Sequence, residues 1–159
     1  MSVSVFAFMV TAAMVALTGP DLVIAQSGSG TASQARTACS LMTPQEIAGL
    51  TGARIRDGEP QTVTEGTECR FRSSDGNWVH VALGPTDAKM FAQIRRLLGA
   101  QAEIQAGVGD EAYFWGNVRI HVRVGTHALT LGLARNDDGN ATTKAQVLAL
   151  AKLGASRLK

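Results

Sequence analysis

The sequence lacks the groups that most catalytic, metal-binding and nucleic-acid-binding sites require. It has only three histidines, His80, His121 and His127, and their spacing matches no set of zinc ligands. It contains no G-x-S-x-G nucleophile turn and no glycine-rich phosphate loop. The net charge is only +2, and the basic residues are spread along the chain. The sequence therefore predicts no catalytic residues, no metal, no cofactor and no nucleic-acid partner.

The chain also lacks an apolar run of the roughly 20 residues that a membrane-spanning helix needs. Its longest apolar run lies between Val3 and Leu17, and the sequence Val23-Ile24-Ala25 suits a signal peptidase site. We predict a signal peptide over residues 1–25 and an exported protein, periplasmic or extracellular, with no stable membrane span after cleavage. An uncleaved membrane anchor is the alternative, because residues 1–4 contain no Lys or Arg.

The small polar residues 26–38 predict a flexible linker, and residues 39–159 predict a single folded domain. The two cysteines, Cys39 and Cys69, predict a disulfide in an exported protein. A lipid-modified Cys39 is the alternative. Arg36, three positions before it, fits a lipid-attachment site poorly, so we expect the disulfide.

A short helix is signalled directly after the first cysteine. Thr43 is a candidate N-cap, Pro44 takes the first helical position and Glu46 completes a T-x-x-E capping box. Gly52 is placed to end the helix. A helix of about two turns is unstable alone, so packing and the nearby cysteine must hold it.

Alternating and helical periodicities predict the remaining elements. They are strands over 68–73 and 77–83, a helix over 86–98 capped by Thr86, strands over 112–115, 118–124 and 127–134, and a last helix capped by Thr143. The last three strands form a meander, because Gly116-Asn117 and Gly125-Thr126 match two-residue hairpin turns. The order α-β(n)-α-β-β-β-α indicates an α+β fold, with an antiparallel sheet and helices packed on one face.

Alternation assigns each side chain of the strands to one face of the sheet. With a two-residue turn at 116–117, Tyr113 and Trp115 fall on the apolar core face and Phe114 falls on the opposite face. If both hairpins join one sheet, the outer face carries the candidate binding residues Arg70, Arg72, Trp78, His80, Phe114, Arg119, His121 and Arg123. His127 falls on the core side beside a turn, where we predict a half-exposed position.

Two interpretations of this outer face are open. It is either a solvated surface, on which Arg72 and Trp78 form a cation–π pair, or a recognition surface, because Trp and Arg are enriched at binding hot spots. Its positive charge favours an unknown acidic protein or an anionic ligand as the partner. We therefore expect a non-catalytic binding module. The alternative is a carrier or sensor of a small apolar ligand, lined by Phe91, Tyr113 and Trp115, and a hydrolytic enzyme comes third.

Two phrases carry a resemblance to known proteins: CSLMTPQEIAGLTG at 39–52 and GVGDEAYFW at 107–115. The pair resembles small exported bacterial proteins and lipoproteins of domain-of-unknown-function families. In these a cysteine precedes a short helix, a second cysteine lies in a following strand, and a G-x-G-D-x-A-[YF] turn begins a late meander. Cys69 takes the place of the second cysteine, and the resemblance covers roughly residues 39–153. It implies a fold and an exported compartment, and no reaction.

Overall fold

The structure is a computed structural model that describes residues 36–134 and 141–159. The predicted signal peptide and most of the predicted linker lie outside these residues. The described chain forms helices α1 (Pro44–Thr51), α2 (Ala88–Leu98) and α3 (Ala141–Ser156), and strands β1 (Ile55–Gln61), β2 (Thr67–Ser73), β3 (Trp78–Pro85), β4 (Ala102–Ile104), β5 (Glu111–Trp115), β6 (Arg119–Val124) and β7 (His127–Ala134).

All of these strands form one antiparallel sheet in the order β1-β2-β3-β7-β6-β5-β4. The pairing of β3 with β7 joins the early hairpin to the late meander, with His80 opposite Gly132. In the early hairpin Phe71 lies opposite Val79, the register that a three-residue loop over 74–76 with Gly76 in third place favours. The α+β class is therefore confirmed, and the two hairpins share one sheet.

One face of the sheet is the core face, against which α1 and α3 pack. Its buried side chains come from the central strands and from both helices: Phe71, Val79, Val81, Ile120, Val122, Leu129, Leu131, Ile47, Val147 and Leu150. Gly154 lets α3 approach the sheet closely, since a Cβ at this position would lie 2.8 Å from Cδ2 of Leu129. This burial of aliphatic side chains is the main source of the stability of the domain.

The predicted disulfide between Cys39 and Cys69 is present. It fastens the short 3-10 turn Ala38–Ser40 to β2, and the amide of Ala38 also donates a hydrogen bond of 2.8 Å to Oγ1 of Thr67. Ala38 is fully buried. Among the described residues, packing therefore begins at Ala38, the last residue of the predicted linker.

Helix α1 begins and ends as the capping signals predict. Oγ1 of Thr43 accepts a hydrogen bond from the amide of Glu46, and Gly52 ends the helix in the left-handed region with φ +71°. The Glu46 carboxylate also accepts hydrogen bonds from Arg157, near the C-terminus of the described chain. This contact is the main reason why the pKa of Glu46 falls to about 2. The helix is thus tied at its N-terminus to the far end of the sequence.

Helix α2 lies on the opposite face of the sheet from α1 and α3. Its Phe91 ring packs 5.1 Å from the ring of Tyr113, and both side chains are almost fully buried. The helix is capped by Asp87, whose Oδ1 accepts a 2.7 Å hydrogen bond from the amide of Met90. The predicted cap at Thr86 is wrong, because the next residue, Asp87, takes the N-cap position.

The turn between β5 and β6 corrects a predicted face assignment. Trp115 pairs with Arg119, so the turn spans the three residues 116–118 rather than two. A one-residue change of register moves every side chain of a strand to the other face. Phe114 consequently lies buried in the core, which removes it from the candidate binding residues, and Tyr113 and Trp115 lie on the opposite face.

The last helix, α3, begins at Ala141, before the predicted cap. Thr143 is buried inside its first turn, so the predicted N-cap at this residue is wrong. With 16 residues α3 is the longest described helix. Over residues 36–134 and 141–159, no helix combines the length and the apolar character needed to cross a membrane.

Candidate functional site: a trough over strand β7

The candidate site is the face of the sheet opposite the core, which we call the open face. Seven of the eight predicted binding residues lie on it, as expected from alternation. They are Arg70 and Arg72 on β2, Trp78 and His80 on β3, and Arg119, His121 and Arg123 on β6. Phe114 is the exception, for the reason given above. The pairing of β3 with β7 brings the two groups together.

A trough runs along the open face because the central strand carries small side chains. On β7 the residues facing this side are Ala128, Thr130, Gly132 and Ala134. The flanking strands carry the larger Trp78 and His80 on one side and Arg119 and His121 on the other. We call this depression the β7 trough. The sequence analysis predicted the large residues on either side of the trough, but it did not single out the small residues of β7 that form its floor.

A small cavity lies at one end of the trough. Its volume is about 130 Å³, and its walls include Trp78, His80 and Arg119, with Gly132 in its floor. We call it the Trp78 pocket. The indole of Trp78 and the imidazole of His80, both on β3, thus meet the guanidinium of Arg119 on β6 around one small cavity that is open to solvent.

Two of the four predicted arginines are neutralised by carboxylates. Arg123 contacts Asp110 at 3.1 Å and Glu111 at 3.0 Å, and Arg72 lies 3.4 Å from Glu59. The side chains of Arg72 and Glu59 are both more than half exposed, so this bridge is weak. The charge of Arg123 is therefore balanced by two carboxylates, whereas that of Arg72 is paired only loosely with Glu59.

The other two arginines stack on tryptophans instead. The guanidinium of Arg70 lies 4.8 Å from the ring centroid of Trp78, and that of Arg119 lies 5.3 Å from the centroid of Trp115. Within residues 36–134 and 141–159, neither has a carboxylate at salt-bridge distance. The predicted cation–π pair of Arg72 with Trp78 is wrong, since Arg72 turns to Glu59. Free positive charge is concentrated at Arg70 and Arg119.

The two histidines of the open face differ in environment. His121 stacks on Tyr113 at 5.0 Å, and its Nδ1 lies 3.0 Å from Oγ1 of Thr130. Burial, with the nearby charges of Arg119 and His80, lowers the pKa of His121 to about 4, so it is neutral at pH 7. His80 lies with Nε2 3.0 Å from the carboxylate of Glu68. Both rings are thus fixed within the sheet surface.

A larger cavity lies where β3 ends and β7 begins. This cavity has a volume of about 560 Å³, and its lining includes Leu83, Pro85, Met90 and His127. His127 is half-buried, as predicted for a residue beside a turn. No local pattern in the sequence indicated this cavity, because it forms where the start of α2 brings Met90 beside the ends of two strands.

The side chains on this face offer binding groups rather than a reacting set. The carboxylates nearest the trough are engaged, Glu68 with His80 and Glu111 with Arg123. No group of three or more His, Cys, Asp or Glu side chains in the described ranges is arranged to hold a metal ion. The face therefore offers a ligand the positive charge of Arg70 and Arg119, the rings of Trp78 and Trp115, and a glycine at position 132 that lets the ligand approach the backbone.

Comparisons of this chain with protein-family models, with curated proteins and with solved structures find no match. The resemblance to small exported bacterial proteins therefore stays a prediction, which rests on the two phrases at 39–52 and 107–115. The function is accordingly argued from the geometry and charge of the open face alone.

Proposed function

We propose that this protein is an exported, non-catalytic binding module, which captures an anionic group of its partner in the Trp78 pocket. The observation that carries the proposal is the pairing of charges on the open face. Arg72 and Arg123 face carboxylates, whereas Arg70 and Arg119 face tryptophan rings. The positive charge that no carboxylate balances therefore lies beside the Trp78 pocket.

The pocket suits a carboxylate or a phosphate. The guanidinium of Arg119 is a planar donor that matches both groups, and its contact with Trp115 restricts its motion before binding. The absence of a side chain on Gly132 lets a ligand approach the backbone of β7. The partner is accordingly an acidic protein or an anionic small molecule.

The same contacts support the non-catalytic part of the proposal. A general base needs a lone pair aimed at a substrate, but Nδ1 of His121 contacts Thr130 and the ring stacks on Tyr113. Nε2 of His80 is turned to Glu68. The other two ring nitrogens, Nδ1 of His80 and Nε2 of His121, have no hydrogen-bond partner among the described residues but are buried, so neither is presented to a substrate in solution. The alternative of an apolar ligand between sheet and helix is less favoured, since Phe91 and Tyr113 fill that space by packing on each other.

Replacement of Arg119 tests the proposal. We expect acetate and inorganic phosphate to shift the amide resonance of Gly132 and the indole resonance of Trp78, with millimolar affinity. Arg119→Gln should weaken this binding by about tenfold, because a charged hydrogen bond is lost. The measurement is a titration followed by ¹H–¹⁵N correlation spectra.

Arg56→Gln is the matched control, because Arg56 is an exposed arginine on the edge strand β1. It should leave the affinity unchanged. Equal binding by wild type and Arg119→Gln, or shifts centred away from β7, would show that the pocket is not the site.

A further inference from the structure

The Trp78 pocket has an apolar side that the proposed anion contact does not use. Its lining includes three apolar residues, Trp78, Val118 and Ala134. A small anion held at the guanidinium of Arg119 would leave this apolar surface in contact with water. Ligand sites combine an apolar lining with a few polar groups that orient the ligand. The pocket therefore suits a ligand that has an apolar part as well as a negative charge.

The indole of Trp78 is held in place from the side away from the pocket. Arg70 belongs to β2 and the pocket lies over β7, with β3 and its Trp78 between these two strands. The Arg70 guanidinium covers one face of the indole, and the ring of His80 meets the indole nearly at a right angle with 6.0 Å between the centroids. The indole thus presents to the pocket the side that Arg70 leaves uncovered. A flat apolar surface that is oriented before binding favours another flat group.

The size of the pocket corresponds to one ring. Its volume is about 130 Å³. Apolar cavities of about 150 Å³ admit a benzene ring. The space exists because Gly132 has no side chain: a Cβ at this position would lie 3.5 Å from the carbonyl oxygen of Val118 and 3.8 Å from Nε of Arg119. A single ring therefore fits on this floor, and a fused pair of rings exceeds the available volume.

The charge of the pocket corresponds to one carboxylate. Among the described residues that line it, Arg119 is the only arginine. The contact of its guanidinium with the ring of Trp115, at 5.3 Å, keeps this group beside the pocket. A guanidinium donates two parallel hydrogen bonds to the two oxygens of a carboxylate. A monoanion with a planar head group thus matches both the charge and the shape of the donor.

From this arrangement we infer that the ligand of the Trp78 pocket is a single aromatic ring that carries a carboxylate. The ring lies against the indole of Trp78, and the carboxylate binds the guanidinium of Arg119. The inference rests on the proposed function for the carboxylate and adds the chemical class of the group attached to it. An aliphatic acid of similar size matches the charge equally well, but it makes no stacking contact with the indole.

The test is a series of four carboxylates: acetate, cyclohexanecarboxylate, benzoate and 2-naphthoate. We expect benzoate to bind about tenfold more tightly than acetate, because its ring leaves water. It should bind about threefold more tightly than cyclohexanecarboxylate, because only the flat ring stacks on the indole. The second ring of 2-naphthoate lies outside the pocket, so this ligand should bind no more tightly than benzoate. The measurement is a titration followed by ¹H–¹⁵N correlation spectra.

A matched pair of glycine variants locates the ring. Gly132→Ala places a methyl group in the floor of the pocket at ordinary contact distances, so the sheet should keep its structure. The preference for benzoate over acetate should fall from about tenfold to about twofold or less, because the methyl group takes the space of the ring. Gly84→Ala is the control, since Gly84 lies on the same face of β3 beyond the pocket and its added Cβ would meet no atom within 4 Å. It should keep the full preference.

Replacement of Trp78 separates stacking from simple burial. Trp78→Leu keeps an apolar side chain at this position but removes the flat ring. We expect benzoate and cyclohexanecarboxylate to bind this variant with equal affinity, because neither can stack. The amide resonance of Gly132 reports the binding. Circular dichroism and the thermal midpoint show whether each variant is folded, and the glycine pair tests the inference independently of Trp78→Leu.

The outcomes separate the inference from the proposed function. If benzoate binds no more tightly than acetate or cyclohexanecarboxylate, the aromatic ligand is excluded while the anion pocket still stands. The same holds if Gly132→Ala keeps the full preference for benzoate, or if Gly84→Ala loses it as well. Tighter binding of 2-naphthoate than of benzoate would overturn the assignment of a single ring. If Arg119→Gln binds acetate as well as the wild type does, the proposed function itself fails.

Discussion

Replacement of Cys39 and Cys69 by alanine is expected to lower the free energy of unfolding by about 3 to 4 kcal/mol. The disulfide joins residues separated by 30 positions. Closing a loop of this size removes conformational entropy from the unfolded chain in about that amount. The loss is large relative to the 5 to 15 kcal/mol that stabilises a typical domain.

The measurement is urea unfolding followed by circular dichroism, for the variant and for the wild type with and without a reductant. The reduced wild type is the matched control, because it lacks the bond but keeps both sulfur atoms in place. It should show most of the loss. Comparable midpoints before and after reduction would contradict the prediction, as would alkylation of either cysteine in the unreduced protein.

Acidification is expected to destabilise the domain through His121. Its pKa is about 4 in the folded protein, chiefly because of burial, and about 6.5 in the unfolded chain. Between these values the unfolded chain binds a proton that the folded protein does not bind. The contribution of His121 is therefore intact above pH 6.5 and declines as the pH falls towards 4. At pH 4 the loss amounts to roughly 3 kcal/mol.

His121→Phe isolates this effect, because phenylalanine keeps an aromatic ring against Tyr113 and has no group that titrates. We expect its urea midpoint to fall less between pH 7 and pH 4 than the midpoint of the wild type. Arg56→Gln, an exposed substitution on β1 that leaves every histidine in place, should keep the wild-type slope. Parallel pH profiles for wild type and His121→Phe would refute the assignment.

The face assignment of β5 shows how far local sequence signals reach. Gly116 and Asn117 predict a two-residue turn, but the structure uses three residues and pairs Trp115 with Arg119. Tyr113 and Phe114 are both large and aromatic, so alternation alone does not separate them. The choice is made by packing: Phe114 joins the core with Ile120, whereas Tyr113 is covered by α2.

The candidate site, too, was predictable from the sequence only in part. The sequence correctly placed seven of the predicted residues on the open face, because buried and more exposed residues alternate along β2, β3 and β6. Their ion pairs were not predictable, because Glu59, Asp110 and Glu111 come from other parts of the chain. Which arginines stay free was therefore decided only when the sheet was assembled.

The sequence by itself determined the short-range features of this protein. The capping box of Thr43 and Glu46, the hairpin register around 74–76 and the pairing of two cysteines depend on residues close in sequence or on a single possible pairing. The tertiary structure alone decided what lies between distant segments. The pairing of β3 with β7 brought Trp78 and His80 beside Arg119 and His121, and the placement of α2 over β5 covered Tyr113. Such contacts depend on how whole surfaces fit, and no local pattern of residues encodes that fit.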